Sequence, residues 1–309
     1  DAAEYKHLVI GLIFVKYISD NFTRQQEEIL QQVSDPKSDI YLGDDSSVHQ
    51  NALERKDYYT QENVFWVPPK ARWKFFQDNA KQSNIGELID KGLDQIQKEN
   101  PQLKDKLDRR FGRAQIDLED GTLGKLIDAI SKIGFNSDET NSRDILGEVY
   151  EYFLGKFALA EGKNAGSFYT PSHIVKVLVA VLAPYQGRVY DPCCGAGGMF
   201  VQSDRFIQEH GGKRNDISIY GQESAPTTWR LATMNLAIRG LTGKLGKEPR
   251  DTFKKDQHSD QKFDHCLANP PFNVSDWDGE KYDTDPRWIY GRPPVGNANF
   301  AWLQHILWK

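Results

Sequence analysis

The arrangement of apolar and polar positions divides the chain into two parts of different character. Apolar residues between positions 5 and 18 cover most of a helical surface, which predicts a buried rather than an amphipathic helix. Positions 34–63 are polar and contain several turn signals, so a long loop or an insertion is expected there. Further helices are predicted at 85–99, 123–133 and 145–160. A mainly α-helical N-terminal domain is therefore expected over residues 1–160.

From about residue 165 onwards, short apolar stretches alternate with helical ones. Strands are predicted at 188–190, 217–220 and 263–268, with a weak fourth strand around 244–253. Helices are predicted at 172–182, 199–209, 227–239 and 298–308. This alternation is typical of a parallel, doubly wound sheet, so a Rossmann-like α/β domain is expected over residues 161–309. Because an open sheet edge would expose unpaired backbone, we expect this domain to be C-terminally incomplete and part of a longer protein.

The composition narrows the setting in which the protein works. The longest apolar run, positions 8–18, is interrupted by Lys16 and is too short to cross a bilayer, and no signal peptide is visible. The three cysteines match neither a disulfide framework nor a zinc spacing, so a reduced, cytoplasmic setting is expected. The formal net charge of −5 argues against a protein that grips DNA alone, since Lys and Arg supply most of the affinity for phosphate.

The strongest chemical signal is the sequence Asn269-Pro270-Pro271-Phe272, which directly follows the strand predicted at 263–268. Proline has no N–H group, fixes its own φ and favours an extended conformation at the residue before it. The side-chain oxygen of Asn269 and a neighbouring backbone carbonyl can therefore face one point without a competing donor. Two converging acceptors beside an aromatic ring suit the exocyclic amino group of a planar base.

A glycine-rich loop lies between the first predicted strand and the helix that follows it. The loop contains Asp191, Gly195, Ala196, Gly197 and Gly198. Glycines let the backbone approach a ligand closely, and an acid at the end of the next strand, Glu223, can accept from both hydroxyls of a ribose. The loop matches neither the phosphate-loop nor the dinucleotide pattern, so a nucleoside without a pyrophosphate, above all S-adenosylmethionine, is favoured. A tight turn with a surface glutamate is the alternative.

Two further segments are candidates for contact with the same ligand. The first precedes the helix predicted at 172–182 and consists of Ser167, Phe168, Tyr169, Thr170, Pro171 and Ser172. Thr170 is expected to cap that helix, whose N-terminus and aromatic neighbours could hold an amino-acid carboxylate. A well-formed helix start with two core aromatics explains the same residues equally well. The second is Asp251, which either accepts from an adenine amino group or lies exposed in a polar loop.

Aromatic and basic residues follow the Pro-Pro sequence. They are Trp277, Arg287, Trp288, Tyr290 and Arg292. Their position near the expected site leaves two interpretations open: the segment contacts DNA, or it folds over the edge of the sheet.

Taken together and in this order, the motifs resemble those of DNA N6-adenine methyltransferases, and most closely the modification subunit of type I restriction–modification systems. The matching stretches in the helical part are 3–7, 11–14 and 16–20. Those in the α/β part are 166–171, 191–192, 195–198, 221–223, 269–272 and 296–300. The resemblance covers essentially the whole chain.

The resemblance implies an S-adenosylmethionine-dependent methyltransferase domain. In it, residues 168–172, 196–198 and Glu223 would bind the cofactor, and residues 269–272 would hold the target adenine. It further implies a complex with a DNA-sequence specificity subunit and a restriction subunit, with two modification subunits for each specificity subunit. Double-stranded DNA would be reached through this complex, without a membrane, in the cytoplasm of a bacterium or archaeon. The poor strand at 241–250 departs from the family pattern and leaves the role of Asp251 open.

Two other functions remain open. A protein glutamine methyltransferase uses a related Asn-Pro-Pro-Tyr sequence on a side-chain amide, but the fourth position here is Phe272, and the long helical N-terminal part also disfavours that class. A non-catalytic assembly subunit that retains the fold is the second alternative, and a measurement of cofactor binding would separate it from an enzyme.

Overall fold

The computed structural model describes residues 2–62, 64–104, 107, 111–112, 121–132, 148, 151–152, 155 and 169–309, without the side chains of 2–7 and 214. The chain divides into two compact units, Asp1–Phe153 and Leu154–Lys309. The domain boundary expected after residue 160 and most of the helix predicted at 145–160 lie outside the described residues.

A long first helix, α1 (Ala2–Ser34), organises the first unit. Ile10 is 1 % exposed and Phe14 is 0 % exposed, which confirms the predicted buried helix. The Oγ atom of Ser19 accepts a hydrogen bond of 2.6 Å from the backbone N of Trp73 and so ties α1 to a later helix. None of the described helices is long and apolar enough to cross a membrane. The remaining described helices of this unit are α2 (Ser46–Leu53), α3 (Asp57–Thr60), α4 (Trp73–Asp78), α5 (Ile85–Glu99) and α6 (Thr122–Ser131).

The segment 34–63, expected to be a long loop, contains the two short helices α2 and α3. Asp45 caps α2, because its Oδ1 accepts from the backbone N of Ser47 at 2.8 Å. Tyr59 in α3 is fully buried, and its ring stacks on Phe22 with the ring centroids 4.4 Å apart. The expectation was wrong here because these helices depend on one cap and one buried aromatic ring rather than on a repeating apolar face.

Parallel strands form the centre of the second unit. The strands in its described residues are β1 (Gly187–Asp191), β2 (Ile217–Gly221), β3 (Gly243–Lys244) and β4 (His265–Cys266), in the spatial order β3-β2-β1-β4. The described helices are α7 (Ser172–Leu182), α8 (Gly198–Glu209), α9 (Pro226–Ile238) and α10 (Asn299–Trp308). The predicted α/β class is confirmed, but β3 and β4 are much shorter than the stretches predicted at 244–253 and 263–268.

The two faces of the sheet are covered by different helices. Val189 packs in a buried cluster with residues of α7, α8 and α9, among them Phe200. Tyr190 is the next residue of β1 and therefore points to the opposite face. There its ring stacks on Phe263 with a centroid distance of 4.2 Å, and its hydroxyl lies 3.1 Å from Nε2 of His305 in α10. Helices on both faces are the arrangement of a doubly wound sheet.

Candidate active site

The loop between β1 and α8 bends in a way that only glycine adopts readily. Gly195 and Gly197 have φ angles of 53° and 80°, in the left-handed region. The backbone N of Gly197 donates to the carbonyl of Cys194 at 2.8 Å and closes the turn. A Cβ atom on Gly198 would meet no other atom within 4 Å. The first turn of α8 therefore presents backbone N–H groups that a ligand can approach closely.

A buried asparagine in α9 holds this loop in place. Asn235 is 2 % exposed, and its Nδ2 donates to the carbonyl of Ala196 at 2.7 Å. Its Oδ1 accepts from Arg239, the residue that follows α9, so both ends of the amide are satisfied. Sequence reasoning missed this residue, and the available signal is an asparagine among apolar neighbours in a helix.

Glu223 lies two residues after β2 and fastens the glycine loop to the end of that strand. Its Oε2 accepts from the backbone N of Gly195 at 3.1 Å, and its Oε1 accepts from the backbone N of Ala225 at 2.8 Å. The side chain is 7 % exposed. Burial raises its pKa, while the donors of Ala225 and Gly195 act in the opposite direction. Oγ of Ser224 also donates to Oε1, at 3.3 Å. A carboxylate has about four acceptor positions, so Glu223 keeps room for a further donor, and the Ser224 hydroxyl can turn away to admit another.

Asp191 is a second buried acid, at the end of β1. Its Oδ1 accepts from the backbone N of Cys193 at 3.0 Å. Burial raises the pKa of Asp191 to about 7, and the negative charge of Glu223 adds to this effect. Two acids in one desolvated place favour a ligand that carries positive charge.

The segment after β3 returns to the glycine loop. The backbone N of Arg250 donates to the carbonyl of Glu223 at 2.9 Å, and Oγ1 of Thr252 donates to the carbonyl of Pro192 at 2.6 Å. Asp251 lies between these two anchors, and its Oδ1 accepts from the backbone N of Phe253 at 2.8 Å. Asp251 is thus next to Glu223 even though β3 ends at Lys244.

Gln222 makes this return possible. It is fully buried, and its Nε2 donates to the carbonyls of Arg250 at 3.1 Å and Lys255 at 2.7 Å. Its Oε1 accepts from the backbone N of Gln257 at 3.0 Å. The resemblance included Gln222 in a motif, but no role was assigned to it from the sequence.

Arg287 ties the segment that follows the Pro-Pro sequence to the same region. It is 6 % exposed and forms an ion pair of 2.6 Å with Asp285. It also donates to the carbonyls of Thr252 at 3.0 Å and Phe253 at 3.1 Å, and its Nη1 lies 3.2 Å from Nδ1 of His305. Arg287 therefore braces the turn that carries Asp251 and is not available for DNA.

Two interpretations of this segment were open from the sequence, contact with DNA or packing over the edge of the sheet, and its other aromatic and basic residues differ in which they fit. Trp277 is 4 % exposed, and Trp288 packs against the buried cluster that contains it. Tyr290 is 72 % exposed, and Arg292 lies at the surface in an ion pair with Asp283. Of the five aromatic and basic residues of this segment, Trp277 and Trp288 thus pack in the cluster that contains Phe253 and Trp302, and Arg287 is buried. The other two, Tyr290 and Arg292, face solvent as a DNA contact requires.

The Asn-Pro-Pro-Phe sequence follows β4 at the same edge of the sheet, because β4 pairs in parallel with β1. The side chain of Phe272 is 80 % exposed. The Nδ2 atom of Asn269 donates to Oγ1 of Thr170 at 3.1 Å. Thr170 was expected to cap α7, and this expectation was wrong. Pro171 occupies the capping position and α7 has no side-chain cap, so the Thr170 hydroxyl lies one residue too early and faces Asn269 instead.

Three asparagines hold the far side of the Asn-Pro-Pro-Phe sequence. Asn273 has a φ of 57°, and its backbone N donates to Oδ1 of Asn299 at 2.9 Å. Its own Oδ1 accepts from Nδ2 of Asn297 at 3.1 Å and Nδ2 of Asn299 at 3.0 Å. We call these three residues the asparagine clasp. The clasp joins the residue after Phe272 to the start of α10.

Both parts of the chain match models of known protein families. Residues 141–309 match the family model for N-6 DNA Methylase, and residues 1–130 match the HsdM N-terminal domain. The chain belongs to the N-6 DNA methylase family. Methyl transfer is the chemistry of this family, and it agrees with the sequence interpretation.

Curated relatives of the methylase chain carry corresponding names. The Type I restriction enzyme HindI methylase subunit of Haemophilus influenzae is 47 % identical over 261 residues, covering 78 % of this chain and 58 % of its own length. The MjaIX methylase subunit of Methanocaldococcus jannaschii is 38 % identical over 312 residues, covering 99 % of this chain and 55 % of its own length. The chain thus spans little more than half the length of these relatives.

A solved structure has the same fold as the methylase chain. The methyltransferase subunit of a type I restriction-modification system from Streptococcus thermophilus superposes with a TM-score of 0.75 at 21 % identity. The match covers 100 % of this chain and 68 % of that chain. At this identity the likeness shows the fold.

Most of the predicted site residues of the methylase chain meet at the carboxyl edge of the sheet. Asp191, the glycine loop, Glu223 and Asp251 form one group, held by the contacts described above. Asn269 follows the adjacent strand, in contact with Thr170. Tyr169, Pro171 and Ser172 flank that contact, and Ser167 and Phe168 lie outside the described residues.

Proposed function

We propose that this chain is the modification subunit of a type I restriction–modification complex. In this proposal it transfers a methyl group from S-adenosylmethionine to the N6 amino group of an adenine in DNA. The observation that carries the proposal is the placement of Asn269 and the exposed ring of Phe272 just after β4, the strand that pairs with β1 and so lies beside the glycine loop. An amide that can accept from an amino group and two buried acids that suit a cationic nucleoside thus share one edge of the sheet.

S-adenosylmethionine is the cofactor that the residues fit best. Glu223 would accept from the ribose hydroxyls and Asp251 from the adenine amino group, while Gly195, Ala196, Gly197 and Gly198 let the backbone approach. Burial of Asp191 and Glu223 favours a cation, because a positive charge nearby stabilises their ionised forms. Residues 167–172 would line the amino-acid end. The cofactor supplies a methyl group that a sulfonium makes electrophilic enough to need no strongly basic side chain.

The target adenine would be held by residues 269–272. Oδ1 of Asn269 and the carbonyl of Pro270 accept the two hydrogens of the amino group, and Pro271 adds no competing donor. Phe272 stacks on the base, which contributes about 1–3 kcal/mol. The base must leave the duplex to reach this place, at a cost of a few kcal/mol. The exposure of Phe272 supports this role, since the ring serves no core in the described residues.

The two acceptors also promote the reaction. The lone pair of an adenine amino nitrogen is delocalised into the ring, which makes the nitrogen a poor nucleophile. Acceptors for both hydrogens favour a pyramidal nitrogen with a localised lone pair. This preference grows as positive charge develops on the nitrogen, so Asn269 and Pro270 stabilise the transition state more than the ground state.

In this proposal, partner subunits make the contacts with DNA other than those to the target adenine. The net charge of −5 supports a division of labour in which a specificity subunit supplies most of the grip on phosphate and reads the sequence. A restriction subunit and a second modification subunit would complete the complex. The curated relatives are themselves named as methylase subunits of restriction enzymes.

The function is tested with the full-length protein and its specificity subunit. Labelled methyl transfer from S-adenosylmethionine to duplex DNA, followed by nucleoside analysis, should give N6-methyladenine. Label in protein glutamine would favour a protein methyltransferase. Failure to bind the cofactor in calorimetry would favour a non-catalytic assembly subunit.

A further inference from the structure

Arg287 is a buried arginine, and each of its five N–H groups has an acceptor. Nε and Nη2 donate to the two carboxylate oxygens of Asp285 at 2.8 Å and 2.6 Å. The other donors reach the carbonyls of Thr252 at 3.0 Å and Phe253 at 3.1 Å, and Nδ1 of His305 at 3.2 Å. A guanidinium group is planar, always charged and only donates, so each of these contacts has one possible direction.

The contact with His305 also fixes the tautomer of that histidine. Because Arg287 donates to Nδ1, the ring carries its proton on Nε2, which donates to the hydroxyl of Tyr190 at 3.1 Å. Burial lowers the pKa of His305 to about 3, and the charge of Arg287 acts in the same direction, so the ring is neutral. Arg287 is therefore held by Asp285 on one side and, through His305, by α10 and β1 on the other.

The two carbonyls that Arg287 holds belong to the residues directly after Asp251. Oδ1 of Asp251 accepts from the backbone N of Phe253 at 2.8 Å and from that of Lys254 at 3.0 Å. Among the described residues, Oδ2 of Asp251 makes no hydrogen bond and is left for a ligand. The direction of Oδ2 thus depends on the peptide groups that Arg287 fixes.

We propose that Arg287 is a positioning residue that aims Asp251 at the amino group of the cofactor's adenine and so sets the selectivity for adenosine over 6-oxo nucleosides. The inference rests on the proposed function and deepens it, because it names what decides which nucleoside the site accepts. Inosine carries a carbonyl oxygen where adenosine carries the amino group. A carboxylate held in this position would face inosine acceptor to acceptor.

Calorimetry with the full-length protein measures this selectivity, with S-adenosylhomocysteine and S-inosylhomocysteine as probes. Wild type should bind the adenosine compound roughly tenfold or more tightly, as expected for one hydrogen bond to a carboxylate. Arg287→Lys keeps the charge beside Asp285, but an ammonium group has only three donors and cannot serve every acceptor, so the ratio of the two Kd values should fall several-fold. Asp285→Asn keeps Arg287 but weakens its anchor and should change the ratio in the same direction.

A double-mutant cycle separates positioning from a general structural effect. If Arg287 acts through Asp251, then Arg287→Lys should leave the ratio unchanged in the Asp251→Ala background. Ile207→Val is the stability control, because Ile207 is 1 % exposed in α8 and packs in the cluster on the other face of the sheet. It should lower the melting temperature without changing the ratio.

Kinetics of the full-length protein with its specificity subunit give a second readout. Arg287 contacts the turn behind Asp251 and not the reacting atoms. At saturating S-adenosylmethionine, kcat of Arg287→Lys should therefore stay within about twofold of wild type, while the KM for the cofactor rises several-fold.

Three results would overturn the inference: a ratio that neither Arg287→Lys nor Asp285→Asn changes, an equal fall in the ratio with and without the Asp251 carboxylate, or a kcat that falls as far as KM rises. Each would leave the proposed function intact, provided that the wild-type complex forms N6-methyladenine. A wild type that binds both probes equally would overturn the inference together with the role of Asp251. A wild type that binds neither probe would instead reject the proposed function.

Discussion

The carboxyl group of Asp191 lies in a buried position beside Glu223. Only 2 % of Asp191 is exposed, and burial raises its pKa to about 7, with the charge of Glu223 as a smaller contribution. A protein retains such a group at a cost in stability, and sites for ligands are where such costs are usual. The cost can be measured directly.

Replacing Asp191 by Asn should stabilise the fold at alkaline pH and change little at acid pH. In the unfolded chain the pKa returns to about 4, so the folded state binds the proton more tightly. The stability that Asp191 contributes is therefore complete below about pH 4 and is lost as the pH rises through about 7. Asn does not ionise, and its oxygen can still accept from Cys193.

Urea unfolding near pH 5 and near pH 8 measures this effect. At the higher pH, we expect Asp191→Asn to gain free energy of unfolding on the order of 1–3 kcal/mol relative to wild type. Asp260→Asn, at an exposed aspartate, is the matched control and should change stability at neither pH. A difference between Asp191→Asn and wild type that is the same at both pH values would contradict the assignment.

Asp191 is a charged group that is buried, whereas Phe272 is a large apolar side chain that is 80 % exposed. Phe272→Ala should therefore leave the free energy of unfolding unchanged, yet weaken binding of the flipped base by about 1–3 kcal/mol. Fluorescence of 2-aminopurine at the target position in DNA reports the flipped base, and calorimetry reports the cofactor. An equal loss of cofactor affinity would count against stacking on the base.

At the scale of elements, the asparagine clasp connects the end of the Asn-Pro-Pro-Phe sequence with α10. Asn299 supplies both an acceptor for the backbone of Asn273 and a donor to its side chain. These bonds lie near the surface, so each contributes modestly to global stability. Their effect should be local, on the residues between Asn273 and Asn299.

Asn299→Ala should loosen this segment without unfolding the protein. Amide hydrogen exchange of residues 273–298 should become faster, and methyl transfer by the complex should slow several-fold, because Phe272 adjoins the released residue. Asn51→Ala, at an exposed position in α2 of the first unit, is the control. Exchange rates that stay at the wild-type level would show that the clasp does not hold the segment.

The elements themselves divide into those the sequence pattern predicts well and those it does not. Helices α7, α8, α9 and α10 appear within about a residue of the predicted bounds, because each is 10 to 13 residues long, which distinguishes a helical stretch from a strand. Strands β3 and β4 have two residues each, too few for any period. Their partners lie far away in sequence, so only the folded sheet defines their limits.

The candidate site, too, could be predicted from the sequence only in part. Its glycines and acids could be predicted, because the carboxyl ends of parallel strands meet at one edge of the sheet. The contacts that orient these residues could not be predicted. From the sequence, Arg287 was left between a DNA contact and a place in a segment folded over the sheet edge, whereas in the structure it is buried and donates to the backbone carbonyls of Thr252 and Phe253. Thr170 looked like a helix cap, but its partner is 99 positions away.

At the scale of the whole molecule, the chain combines an N-terminal helical unit with an α/β unit that belongs to the N-6 DNA methylase family. Its net charge of −5 fits the proposed subunit, which would depend on a partner for DNA affinity. In the proposed function, the site at the carboxyl edge of the sheet would supply the groups for methyl transfer to an amino nitrogen. Asn269 stands at the centre of that assignment.

The formation of N6-methyladenine by the full-length protein with its specificity subunit, compared between wild type and Asn269→Ala, tests this assignment most directly. Wild type should methylate duplex DNA. Asn269→Ala should lose about 100-fold or more in kcat, as when one preorganised hydrogen-bonding group is removed from a transition state, while its Kd for S-adenosylmethionine stays unchanged. An Asn269→Ala protein that methylates adenine at the wild-type rate would contradict the account.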